Sequence, residues 1–249
     1  PTVVLRVLAI GLAVASCESA PRSTLSEPSA ETVARHPHSQ AQAAVASDLQ
    51  LAVVHGRLTD ARDLASWLVT HEMIEQPGWR PYLDELRDGA QAVARADDVA
   101  SAGSRLGMLA HACGGCHEAA GVTASVASEF APEDTSSLAA QMVRHRWAAA
   151  RLWEGVSGPS DRAWLAGAGV LLATPLDVAA GMHDKPNVEA VELSELLREQ
   201  VTRAAALTDL DARAHLFGDM MSTCAGCHSI LRPLPVAGES GALRIARSR

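Results

Sequence analysis

Apolar residues along this chain recur at helical spacing and lack the strict alternation of strands. Leu138, Met142, Val143, Ala149 and Leu152-Trp153 form one such stripe. Breakers interrupt the pattern at Gly56, Pro77-Gly78, Gly158-Pro159, Pro175 and Pro186. The segments between them read as eight helices. Four lie near 38–55, 59–73, 80–96 and 98–118, and four near 136–156, 160–173, 187–206 and 209–228. Thr59-Asp60 and Ser160-Asp161 have the Ser/Thr-acid signature of a helix start. Asp97 or Asp98, and Thr208 or Asp209, supply caps for the last helix of each set. Short joins between successive helices imply antiparallel neighbours.

The two sets are versions of one unit. With Cys113 laid on Cys224, Asp98 meets Asp209, Val99 meets Leu210, Leu106 meets Phe217 and Gly107 meets Gly218. Upstream, "HGRLTD" resembles "SGPSD". The units span 36–122 and 136–232, with an aperiodic linker containing Pro132 between them and a tail at 233–249 expected to be disordered. The expected fold is therefore all-α: two tandem four-helix bundles.

Composition sharpens this picture. Aromatics are only 3% of a chain that is 48% hydrophobic, so Ala, Leu and Val must build the core. Net charge is −8, Lys185 is the only lysine, and no basic stripe is present, so nucleic acid is not an expected partner. Residues 1–17, "PTVVLRVLAIGLAVASC", have the basic start and short apolar run of a secretory signal. Their ending, Val14-Ala15-Ser16-Cys17, resembles a bacterial lipobox, which marks Cys17 for lipidation. Residues 18–35, polar and rich in Pro and Ser, suit a tether. The expected location is the periplasmic side of a bacterial membrane, held there by the lipid.

Export governs how the other four cysteines read. Each pair ends in histidine: Cys113-Gly-Gly-Cys116-His117 and Cys224-Ala-Gly-Cys227-His228. CxxCH is the attachment signature of c-type haem. Two thiols reach the vinyl groups on one porphyrin edge, and the histidine reaches the iron. On a helix these positions share one face. A Cys₄ zinc site would set its pairs about 15–20 residues apart, far closer than these. A thioredoxin-like CxxC needs a βαβ context that the pattern lacks. Two covalently bound haem c groups are expected, near the ends of the last helices.

A helical bundle with CxxCH at the end of its fourth helix resembles the cytochrome c′ class of c-type cytochromes. The resemblance covers most of 40–230. It implies thioethers at Cys113, Cys116, Cys224 and Cys227 and proximal iron ligands at His117 and His228. The rival class I fold places a distal Met downstream of CxxCH, but residues 229–249 contain no Met, His or Lys. In the family, a Met early in helix one makes a six-coordinate electron carrier, and a vacant distal side binds small gases. Met142 is the expected distal ligand of the second haem, with His145 its competitor one turn on. Met182 and His183 are further candidates there, and His36, His38, His71 and Met73 are those of the first unit. His111 lies too close to its own motif, and His215 too far before its own. His55 is expected at the end of the bundle away from haem. Trp67, Trp147, Trp153 and Trp164 are expected in the core.

The expected function is that of an exported dihaem cytochrome that passes electrons to redox partner proteins and needs no catalytic side chain. Gas binding is the alternative. A haem peroxidase ranks third, because no polar acid-base constellation stands out.

Overall fold

The computed structural model describes residues 37–71, 78–122, 130–133, 137–174 and 187–231. Every regular element among them is a helix. The first half holds α1 (Pro37–Val54), α2 (Leu58–Thr70), α3 (Arg80–Ala94) and α4 (Val99–Ala119). The second holds α5 (Leu138–Ser157), α6 (Asp161–Ala173), α7 (Val188–Ala204) and α8 (Leu210–Leu231). No helix among the described residues is long and apolar enough to cross a membrane.

Local chemistry sets the helix ends. Asp98 caps α4 by accepting from the Ser101 amide at 2.7 Å, and Ser101 Oγ accepts in return from the Asp98 amide at 3.3 Å. Asp209 does the same work for α8, accepting from Ala212 N at 2.8 Å. Ser137, Ser160 and Asn187 cap α5, α6 and α7. The α2 start differs from expectation. Arg57 takes the cap position without a side-chain bond. Asp60 lies in the first turn and pairs with Arg57 at 2.8 Å. An acid there still faces the positive end of the helix, so the Thr-Asp signature marks the region but misses the cap. Gly56 closes α1 at φ +69°, with Arg57 N bonded back to Ala52 O at 2.8 Å.

Each half packs in chain order, α1 on α2 on α3 on α4 and α5 on α6 on α7 on α8. The most extensive contact joins the halves: α4 lies against α8. Gly107 and Gly218, equivalent residues of the repeat, meet there. A Cβ on Gly107 would fall 3.1 Å from Gly218 Cα and collide with the Ala214 carbonyl. Gly103 faces Met221 and Ser222, whereas Gly114 faces Leu210. Numbers rise on one helix as they fall on the other, so the pair is antiparallel about the Gly107–Gly218 contact.

One apolar cluster therefore runs through both halves. It takes in Leu49, Leu64, Leu106 and Leu109 from the first and Leu152, Trp164, Phe217 and Met220 from the second. Trp67 and Trp153 are also buried in it, and Trp147 packs on its edge. Burying each large side chain stabilises the fold by about 1.5–3 kcal/mol. Trp164 adds a bond from Nε1 to Ala204 O at 2.8 Å that ties α6 to the end of α7. The α5 stripe is apolar in sequence beyond what is buried: Leu138 and Val143 face solvent, and burial begins at Ala148.

Candidate metal-cofactor sites

The two CxxCH motifs end α4 and α8, and the antiparallel crossing sends them in opposite directions. Cys113, Cys116 and His117 occupy the last turns of α4. The helix stops there because Val122 N bonds to His117 O at 2.8 Å, with Gly121 at φ +65°. The neighbours come from the other half. His117 Nδ1 lies 2.6 Å from the carbonyl oxygen of Ser157, at the α5–α6 corner. A carbonyl only accepts, so Nδ1 carries the proton and Nε2 is left with a free lone pair. Metal-binding histidines show this arrangement, one ring nitrogen held by an acceptor and the other presented. Gly114 is pressed against the Val156 carbonyl of the same corner, and no side chain fits there.

The second motif repeats the scheme at the far end. Gly56, at the α1–α2 corner, lies 4.0 Å from Ala225 O and Ser229 N by its Cβ direction. The His55 ring beside it stands 5.5 Å from that of His228. His55 corresponds to Ser157 in the repeat, so each motif is backed by the first corner of the opposite half. This corrects the expectation that His55 lies away from the site: the crossing of α4 and α8 brings the corner of one half to the motif of the other. Gly115 faces Tyr82 of α3 and Gly226 faces Leu193 of α7, again equivalent positions.

Burial controls the electrostatics of both sites. It pushes the Cys113 and Cys224 thiols up to about 12, helped by the neighbouring Cys116 and Cys227. Part of each residue faces solvent, but the sulfur atoms are ringed by protein. Reactive dithiols need a lowered pKa, so thiol–disulfide exchange is a poor use of these pairs. Burial also lowers the pKa of His117 and His228, which keeps both imidazoles neutral and able to donate to a metal. The four thiols are free. Set at opposite ends of the crossing, they do not converge on one zinc ion. No cluster of three or more His, Cys, Asp or Glu suited to a metal ion occurs among the described residues.

The residues present fit a covalently held haem. In each motif two thiols share a face one turn apart and a neutral imidazole follows, with Nδ1 oriented by a carbonyl at His117. The side chains expected from the sequence as second ligands are spread more widely. Met142 is half-buried early in α5. His145 lies one turn on, with Nε2 2.7 Å from Thr174 O, and lines a cleft with Leu171, Leu197 and Val201. His71 stacks on Trp67 at 3.8 Å. His215 is exposed, 3.5 Å from Asp211. Cys17, His36, Met73, Met182 and His183 lie outside the described residues, as does the side chain of His38. Ser157 and His55 are the site residues that the sequence reading missed. The Gly158 and Gly56 that follow them, aligned by the repeat, were the signal. None of the protein-family models, curated proteins or solved structures compared with this chain matches it.

Proposed function

We propose that the chain is a dihaem c-type cytochrome acting in electron transfer. Each half would be a four-helix bundle carrying one haem at the end of α4 or α8. The observation that carries this reading is His117 in its CxxCH setting, with Nδ1–H given to the Ser157 carbonyl and Nε2 left free. Haem, when bound, supplies a one-electron iron couple. Everything else falls to the chain. Cys113, Cys116, Cys224 and Cys227 hold the group covalently, so it is not lost outside the cytoplasm. His117 and His228 would hold the iron, His117 through the Nε2 that its bond to Ser157 leaves free. The Ser157 carbonyl fixes the tautomer and orientation of His117 and makes its ring a stronger donor. The Ala- and Leu-rich helices would keep the group's surroundings low in dielectric, one of the protein's levers on its potential. Redox proteins are the partners. Cys17 would carry a lipid that holds the protein at the periplasmic face of a membrane.

The test is a haem count. Protein made in a host able to attach haem c should keep its haem in acid acetone, and its mass should exceed the processed polypeptide by two haems. The double substitution Cys113→Ala and Cys116→Ala should remove one haem and leave the other. Extractable haem, or none, would defeat the reading. A mature N-terminus other than Cys17 would end the lipid-anchor part alone.

A further inference from the structure

The two corners that back the motifs are equivalent in the repeat but do not run alike. At the α5–α6 corner Gly158 has φ −114°, and the carbonyl before it, that of Ser157, takes the His117 Nδ1 proton. At the α1–α2 corner Gly56 has φ +69°, a left-handed turn open mainly to glycine. What stands against His228 there is a side chain. The His55 ring lies 5.5 Å from the His228 ring between centroids and is tilted by 31°. The corner is seated on the motif itself, because Gly56 packs against the α8 backbone at Ala225 and Ser229.

We infer that His55 is the positioning residue of His228: one of its ring nitrogens accepts the His228 Nδ1 proton, as the Ser157 carbonyl does at His117. The separation suits this. A ring nitrogen lies about 1.1 Å from its centroid and a hydrogen bond spans about 3 Å, so bonded imidazoles have centroids about 5 Å apart. A small turn of either ring closes the difference. Burial first, then the nearby His228, Arg57 and Arg146, push the His55 pKa down to about 4. The ring is therefore neutral at pH 7 and has a lone pair to offer. An acceptor on Nδ1 fixes the tautomer of His228, leaves Nε2 for a metal and makes the ring a stronger donor. The two sites reach one end by different means. The first uses a backbone carbonyl, which no substitution removes, and the second uses a side chain. His55 is then the residue through which the second site alone is tuned.

This deepens the dihaem reading and rests on it, so covalent haem is counted first in every protein. The double substitution Cys113→Ala and Cys116→Ala leaves the second haem to be read by itself. In that background His55→Phe keeps a ring and removes the acceptor. It should raise the midpoint potential. It should also speed solvent exchange of the His228 Nδ1 proton, followed by NMR of protein labelled with 15N-histidine. His55→Asn or His55→Gln, whose amide oxygen accepts, should return both toward wild type. With Cys224→Ala and Cys227→Ala instead, His55→Phe should leave the first haem's potential where it was. An unchanged or lowered potential of the second haem in His55→Phe overturns the assignment, as does failure of both amide variants to restore it. Rapid exchange of the proton with His55 in place also overturns it, with no His55 variant needed. Absence of covalent haem would sink the parent reading and this one with it, whereas two haems with a potential indifferent to His55 sink this one alone.

Discussion

Gly107 and Gly218 are one position of the repeat met twice, and at their contact there is room for hydrogen only. A Cβ on Gly218 would lie 2.6 Å from the Ser104 carbonyl oxygen, and one on Gly107 would strike the Ala214 carbonyl. Both obstacles are backbone, so neither moves without shifting a helix. In an open helix the change from Gly to Ala gains about 1 kcal/mol of helix propensity. Here overpacking, typically 1–3 kcal/mol, should outweigh it. Gly107→Ala and Gly218→Ala should each lower the urea midpoint. Gly169 supplies the contrast, because it sits in α6 with nothing within 4 Å of a built Cβ. Gly169→Ala should raise stability by roughly 0.5–1 kcal/mol. Equal effects at all three glycines would mean that the crossing is looser than the geometry implies.

At the scale of the helix, α4 depends on its cap because it carries a motif at its far end. The Ser101 amide, followed by the Ser101 side chain, holds the Asp98 carboxyl below its usual range. A depressed pKa in the fold means a contribution present above the ordinary Asp value, about 3.9, and lost as pH falls through the lowered one. Asp98→Ala should therefore lower the thermal midpoint at neutral pH, and its deficit against wild type should shrink in acid. A deficit that does not change with pH would show that the charge on Asp98 is irrelevant to the cap. The helices themselves were legible in the sequence, because breakers such as Gly56, Gly158 and Pro159 carry local meaning. The caps could be narrowed to adjacent residues, Asp97 or Asp98 and Thr208 or Asp209, and the structure selects Asp98 and Asp209. The α2 start was misplaced, because Thr59-Asp60 reads alike as a cap or as a first turn. Met142 and Val143 fall on the apolar stripe of α5, yet Met142 is only half-buried and Val143 faces solvent. How far α5 projects past its neighbours decides that, and periodicity does not encode it.

The largest feature, the pairing of α4 with α8, was present in the sequence only as an unexplained match. Gly107 aligned with Gly218, but a repeat alignment shows that two residues are equivalent, not that they touch. Their contact makes the molecule nearly two-fold and sets the spacing of the proposed haems. His117 and His228 each lie ten residues past the shared glycine. At about 1.5 Å per residue, each motif is about 15 Å from the crossing, and the two are about 30 Å apart along the helices. They point in opposite directions, so their surroundings do not overlap: the α5–α6 corner closes one and the α1–α2 corner the other. If haems are held at both motifs, that separation should leave them electronically and electrostatically independent, with no single fast electron step between them through the protein. The Soret circular dichroism of the dihaem protein should equal the sum of two variants that each lack one motif, and each variant should keep the midpoint potential its haem has in wild type. A split Soret couplet seen only when both haems are present, or potentials that move when the other haem is removed, would show that the two sites lie much closer than the crossing of α4 and α8 allows.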